Sequence, residues 1–393
     1  MALYIDLHVL QSVPFANLNR DDLGQPKTVR YGNTERIRVS SQSWKREIRH
    51  EVEEQLGEYA KRTRLVPSKV AEALRTAEWP ADLAKFAGEQ VAQSAGKGLK
   101  TEDGGKTSVL LYLPATAIDE LAALCQEHRG ELEAAAEQAQ GTTAVKAKGR
   151  TKSKGKDKTD GPEAVLPTDR VTALLKGRTA TIDLFGRMLA ELPGGKVDGA
   201  VQVAHPFTTH GSDPQPDFFT AVDDWLPSEE TGSGHMQTAE FSAGVFYRFS
   251  TVNVEDLIKN LHGDRERAEQ LVKLYIDAYL MSLPQAKKNS TAPHTIPDLA
   301  YIAVRTRRPV SFAAAFEEPV HPQLSGGFSQ ASRRALAEYA VAVDRLTAGR
   351  GRIAHAHAGI EEKAIEGLGT RRTSFSDLID ATVRAAFSAK ATS

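Results

Sequence analysis

The residues that could do chemistry gather in one stretch, Arg20 to Arg49. Residues 1–50 carry eight bases (Arg20, Lys27, Arg30, Arg36, Arg38, Lys45, Arg46, Arg49) against five acids (Asp6, Asp21, Asp22, Glu35, Glu47). Between Arg38 and Lys45 runs Val39-Ser40-Ser41-Gln42-Ser43-Trp44. Hydroxyl, amide and cationic donors grouped this way suit a phosphate. A helix beginning among them would add unpaired backbone N–H groups and a positive dipole end. Lys45 and Arg49, four apart, share one helix face, with Arg46 in the same turn. The plain alternative is a solvated basic helix face beside an edge strand.

These side chains need elements to hold them. Arg36-Ile37-Arg38-Val39-Ser40 alternates basic and apolar residues, which predicts a strand with one wet basic face. Ser41 to Arg49 predicts a helix start capped by Ser41 or Ser43, with Trp44 and Ile48 facing inward. Asn19 to Asp22 is a polar, turn-forming cluster. Upstream, Ala2 to Val9 alternates as a strand, with Leu3, Ile5, Leu7 and Val9 on one face. Tyr4, Asp6 and His8 share the other, so His8 is expected on a polar face or at a core edge.

The chain has 393 residues, 40% hydrophobic and 26% charged, with a net charge of −1. That length suggests two or three structural units. No apolar run approaches the ~20 residues of a membrane span, and the start reads as no signal peptide. The single Cys125 excludes an internal disulfide and suggests a reducing cytoplasm. Its apolar surroundings, IDELAALCQEH, predict a buried structural thiol. Charge is unevenly spread: residues 51–141 hold sixteen acids and ten bases, residues 146–158 seven bases and one acid.

From Val52 to Leu175 the pattern is helical and alanine-rich, interrupted by KTSVLLYLP, a short strand candidate. The preceding GGKTS is no phosphate loop, because Lys100 stands where a glycine is needed and the loop precedes its strand. Residues 141–162 are low in complexity and predict a flexible or disordered segment. Its Lys146, Lys148, Arg150, Lys152, Lys154 and Lys156 could touch DNA phosphates without reading bases. Arg178 to Leu192 predicts an amphipathic helix. Val197 to Val203 leads as a strand into His205-Pro206-Phe207-Thr208-Thr209-His210, where Pro206 argues for an edge or protruding element. Gly211-Ser212-Asp213-Pro214 is a turn signal, and DFFTAVDDW returns from it. A projecting hairpin or long loop follows, with Phe207 and the threonines near its base or tip.

Glu240 to Phe249 (EFSAGVFYRF) reads as a sheet-core strand, Leu299 to Val304 as another, and residues 265–283 and 330–348 as helices. The exposed-aromatic consensus of RNA-binding RRM sheets is missing. His205 and His210 with Asp223 and Asp224, and His355 with His357 in a predicted loop, lack metal-ligand spacing. No triad elbow or dinucleotide fingerprint is present, so no catalytic residue, metal or small cofactor is expected.

HVL near the start, LNRDD, the R-x-R-V-S-S-Q-S-x-K-R run, GKVDGA, AHPFTTH, DFFTAVDD and EFSAGVFYRF together resemble the CasC family, the backbone subunits of the type I-E CRISPR Cascade complex. The resemblance implies an α+β fold: a modified RRM-like (ferredoxin-like) palm, an inserted helical fingers domain and a protruding β-hairpin thumb. The palm would take residues 1–58 and 176–393, the fingers 59–175 with the basic loop 141–162, and the thumb about 200–225. Copies of such a protein would line up along a crRNA as a helical filament, hold its phosphates, displace bases at intervals and present the guide to target DNA. Partners would be the crRNA, the target DNA and the other type I-E subunits. Those are the large subunit, the small subunit, the crRNA-processing endonuclease and the 5′-handle-binding subunit, in the cytoplasm and away from membranes.

Carried over residue by residue, the RNA contacts would be Arg20, Lys27, Arg38, Ser40, Gln42, Lys45, Arg46, Arg49, Phe207, Thr208 and Thr209. The lysine-rich insert stands in for the family's DNA-contacting region. Thr179 occupies the place of a base-wedging methionine. Related backbone subunits of other CRISPR types cleave RNA with a loop aspartate. Asp21 and Asp22 lie in a comparable loop but have no adjacent general-acid histidine, so a non-enzymatic role is expected.

Overall fold

A computed structural model describes residues 2–96, 99–102, 104–148, 164–212, 214–221, 235–324 and 326–388, and for 140–148, 221 and 235–237 the backbone only. The chain divides into two compact units, Met1–Gln55 with Ala200–Ser393, and Leu56–Gly199.

The first unit is organised on four long antiparallel strands: β1 (Tyr4–Ala16), β2 (His235–Asn253), β3 (Leu299–Arg305) and β4 (Arg352–Gly359). Their order is β2-β1-β3-β4. Helices α1 (Ser41–Leu56), α2 (Arg265–Met281), α3 (Ser329–Thr347) and α4 (Phe375–Ser388) connect and cover them. Short strands extend both edges. Thr370–Arg371 lies parallel to β4, while Val201–Val203 and Phe207–Thr208 pair with β2.

β1 sits centrally, and that placement changes its chemistry. The expected period of two is present, yet both faces are dry. Asp6, His8 and Leu10 face the side covered by α3 and Phe312, whereas Val9 and Gln11 face the side of α1 and α2. His8 is therefore a core residue. Its ring stacks on Phe312 at 4.0 Å and its Nδ1 lies 2.9 Å from the Tyr247 hydroxyl. Burial pushes its pKa well below the usual value and keeps it neutral. Asp6 is also fully buried and forms an ion pair with Arg305 at 3.0 Å.

The strand alternation in EFSAGVFYRF is likewise real, with both faces covered. Arg248 is buried beneath α1 and α2, its guanidinium 4.0 Å from the Trp44 ring and 4.6 Å from Tyr279. Gln11 Oε1 accepts from it at 2.6 Å. Two aromatic faces and a neutral amide thus hold this cation in place of a carboxylate. The expected aromatic core follows: Phe241, Phe246 and Tyr247 are buried.

The second unit is mainly helical. Helices Val66–Thr76, Ala81–Ser94, Ala117–Glu127 and Thr168–Leu175 pack around Val70, Leu74, Val91, Leu121, Cys125 and Leu132. Cys125 is a core thiol, pushed up to about 12 by burial. The strand expected in KTSVLLYLP is Leu111–Pro114, paired with Ala60–Thr63. This unit continues past 175, where the palm was expected to resume, to Gly199. Buried Arg187 gives the reason: it donates to the carbonyls of Tyr112, Lys176, Gly177 and Gly195 and ties that stretch down.

Two expected elements come out differently. The helix predicted over 178–192 is only Ala180–Phe185, stopped at Gly186 with φ +81. A Cβ there would lie 2.6 Å from the Gly199 nitrogen. The loop expected around His355 and His357 is strand β4. His357 is buried against Leu368 O and Ile365 N–H.

Candidate nucleic-acid interface

The local structure from Asn19 to Gln42 depends on backbone pairing. Asp21 accepts from the Leu23 and Gln25 N–H groups, both at 2.9 Å, and closes a turn. Lys27 N–H then donates to Asn19 O and Arg38 N–H to Lys27 O. Thr28–Tyr31 and Thr34–Ile37 form a hairpin around Gly32 and Asn33, with φ +57 and +56. Two left-handed residues are what a tight two-residue hairpin turn requires. A Cβ on Gly32 would fall 1.6 Å from Glu317 O, so the hairpin tip is pressed against that backbone.

α1 starts just beyond. Ser40, not Ser41 or Ser43, is the capping position: its carbonyl accepts from the N–H groups of Ser43 and Trp44. Its own N–H donates to Asn19 Oδ1 at 2.8 Å. Ser41 N–H donates to Nδ1 of His205 at 2.9 Å. Trp44, Ile48 and Val52 are fully buried, as the apolar spacing required. Each such burial stabilises by roughly 1.5–3 kcal/mol. The Trp44 indole N–H reaches Ser282 O.

Across from α1 lies the 205–208 segment. Val39 N–H donates to Pro206 O at 2.9 Å, and Arg38 bridges to Phe207. Together these elements enclose a cleft of about 580 Å³, lined among others by Tyr31, Arg38, Ser40, Gln42, His205 and Phe207. Tyr31 and Phe207 meet edge to face at 5.4 Å, and Phe207 rests edge-on against Tyr247 at 6.0 Å. The floor is aromatic. Arg30 and Arg38 bring charge to the lining, and Ser40, Gln42 and His205 supply neutral polar groups. Such a surface can take a stacked base together with its phosphate.

Arg38, Ser40, Gln42 and Phe207 thus come together as expected. Arg20 is exposed, and Lys27 is joined by backbone hydrogen bonds to Asn19 and Arg38; neither lines the cleft. Other expected members are placed differently. Arg36 is no part of a wet basic face: it is fully buried, donating to Thr208 O, Phe316 O and Glu317 O. Arg49 pairs with buried Glu53 at 3.1 Å, and exposed Arg46 pairs with Glu47. Lys45 is half-buried on α1.

Thr208 and Thr209 are fully buried. Thr208 donates to His210 O, and the Thr209 and Ser332 hydroxyls lie 2.8 Å apart. They brace the segment from behind and cannot touch a ligand in this conformation. His210 is held by the Val245 N–H and stacks on Phe328 at 3.6 Å. Thr179 is buried in the second unit, capping its short helix at Ile182 N–H, so it presents no wedge to a base.

The two-stranded ribbon is Gln215–Ala221, within the span of about 200–225 expected for the hairpin, against the first part of β2, which lies beyond it. Phe218 and Phe219 are exposed on it. Lys146 and Lys148 end the backbone of helix Arg129–Lys148, so helix enters the segment expected to be irregular. Arg150, Lys152, Lys154 and Lys156 lie outside the described residues, as do Asp223 and Asp224. Among the described residues no group of three or more His, Cys, Asp or Glu could hold a metal, and no helix is long and apolar enough to cross a membrane.

Tyr31 was missed in the sequence, and His205 was weighed there only as a metal ligand. The hairpin signal for Tyr31 was present, since TVRY-GN-TERI is two short strands around Gly-Asn. His205 carries no local signal, because its partner Ser41 lies 164 residues away.

The chain matches the CT1975-like protein family over residues 5–381. It is similar to a chain of a structure described as "CRISPR RNA-guided surveillance complex, pre-nicking". There the TM-score is 0.85 and identity 45%, over 98% of this chain and 100% of that one. A second, described as "CRISPR RNA-guided surveillance complex", has TM-score 0.75 and 40% identity over the same shares. No curated protein matches. The fold shared with these structures is the expected α+β one with an RRM-like palm, here with both sheet faces covered. A match across nearly the whole length and likeness at this identity place the chain in the CT1975-like protein family.

Proposed function

We propose that this chain is the backbone subunit, of the CasC type, of a type I-E CRISPR Cascade complex. Several copies follow one crRNA in a helical filament, each gripping sugar–phosphate and leaving bases open to target DNA. Recognition of sequence then belongs to base pairing, and the protein needs only backbone contacts. The carrying observation is the single cleft that collects Arg38, Ser40, Gln42 and Phe207 with Tyr31. Membership of a surveillance complex is supported by the two similar chains, each from such an assembly. Phe207 and the ribbon beyond it would displace a base at intervals. Lys146, Lys148, Arg150, Lys152, Lys154 and Lys156 would steady the target DNA, and the other type I-E subunits would complete the particle.

The role is non-catalytic, with crRNA as the bound nucleic acid and no further cofactor. The Asp21 carboxylate is engaged by its own turn, which disfavours it as a general base. The test is gel filtration with and without crRNA, beside incubation of the loaded protein with paired RNA and Mg²⁺. A large RNA-dependent particle and intact RNA are expected. A monomer that ignores RNA refutes the scaffold reading, and metal-dependent cleavage lost in Asp21→Asn refutes the non-enzymatic one.

A further inference from the structure

Building on the nucleic-acid reading of the cleft, we propose that His205 is itself a binding residue, donating from Nε2 to a phosphate oxygen of the bound strand. The reason lies in its tautomer. Ser41 N–H donates to Nδ1 at 2.9 Å, so Nδ1 is the unprotonated nitrogen. A neutral imidazole has one N–H, which must then be on Nε2. The ring is exposed and lines the cleft beside Arg38, Ser40 and Gln42. It therefore brings a neutral donor to the wall where the anion would lie.

Two further contacts fix it there. Pro206 O accepts from Val39 N–H, and Phe207 bridges to Arg38, so the segment carrying His205 is pinned to the strand that carries the arginine. The donor to Nδ1 is the first N–H of α1, at the helix's positive end. A hydrogen bond from that end polarises the ring and strengthens its outward N–H. The helix dipole thus reaches the ligand through the imidazole, a step beyond the direct contact with helix N–H groups expected of Ser40 to Ser43.

Conservative variants separate this role from a structural one. Asn at 205 can place its amide oxygen where Nδ1 accepts, without a donor at the Nε2 position. Gln can place its amide NH₂ near Nε2, without the acceptor. Binding of a fluorescein-labelled oligo(U) RNA is measured by anisotropy over a salt series, with melting temperature recorded for each protein. His205→Ala is expected to weaken binding roughly 12- to 160-fold, the range of one hydrogen bond to a charged group. The slope of log K against log salt is unchanged, because no cation is lost. Arg38→Ala, run alongside, lowers that slope by about 0.7. His205→Gln restores affinity and His205→Asn does not. Unchanged affinity in His205→Ala, or rescue by Asn and not Gln, overturns the proposal. If the unaltered protein fails to bind the RNA, the functional reading falls, and this inference with it.

Discussion

Arg36→Met separates the buried arginine from half-buried Arg38 two residues on. Arg36 and Arg38 are alike in sequence, yet Arg36 is fully buried and Arg38 lines the cleft. Arg36 Nη1 donates to Thr208 O at 3.0 Å, and Nη2 donates to Phe316 O at 3.0 Å and Glu317 O at 3.3 Å. Its guanidinium also sits 5.9 Å from the Tyr31 ring centroid. Methionine fills much of the same volume but leaves those carbonyls without their donor. Two well-formed bonds at about 1.5 kcal/mol each give a loss of about 3 kcal/mol, with the longer third adding little. For a unit of this size each kcal/mol is worth about 2–4 °C, so melting should fall by roughly 6–12 °C. Arg38→Met should leave melting within about 2 °C and weaken RNA binding with a shallower salt slope. Differential scanning calorimetry and anisotropy on the same preparations read both quantities. If Arg36→Met melts like the unaltered protein and instead flattens the salt slope, Arg36 faces the ligand and the burial reasoning is wrong.

Gly32→Ala should cost several degrees of melting temperature and open the cleft, because Glu317 O occupies the Cβ position and φ is +57; Asn33→Gly, at φ +56, should be near neutral, and equal melting curves for both would refute this. Burial pushes Asp6 up to about 6 despite the Val310 N–H and Arg305. The folded state then holds this proton more tightly than the unfolded chain. The stability of the unaltered protein relative to Asp6→Asn should therefore decline as pH rises from about 4 to about 6, by up to about 3 kcal/mol; urea titrations showing a rise over that window would mean Arg305 dominates. Phe207→Ala should lower RNA affinity by roughly 1–3 kcal/mol with an unchanged salt slope, as loss of a stacking surface does; an unchanged affinity in anisotropy would remove Phe207 from the site.

The order of elements, the helix beginning at the serine cluster and the aromatic character of the core strands were all legible in the sequence. Each is a local property: side-chain period, capping residues and β-branched or aromatic runs decide it within a few residues. Ser41–Leu56 buries Trp44, Ile48 and Val52 because those three stand at helical spacing. Arg38, Ser40 and Gln42 stood out by residue type in one such run, while Phe207 was assigned through the resemblance motifs.

What the tertiary structure alone decided is which side of each pattern is wet. β1 and β2 alternate correctly, but with helices on both sheet faces Asp6 and His8, expected on a polar face, are core groups, as is Arg248. Alternation states that two faces differ; it does not state that one meets water. Arg36 and Arg38 were equivalent by period, and long-range neighbours at Thr208 and Phe316 buried one of them. Thr208 and Thr209 are buried by long-range packing in the same way. The bond from Ser41 to His205 spans 164 residues of chain, and no local pattern encodes a contact at that separation.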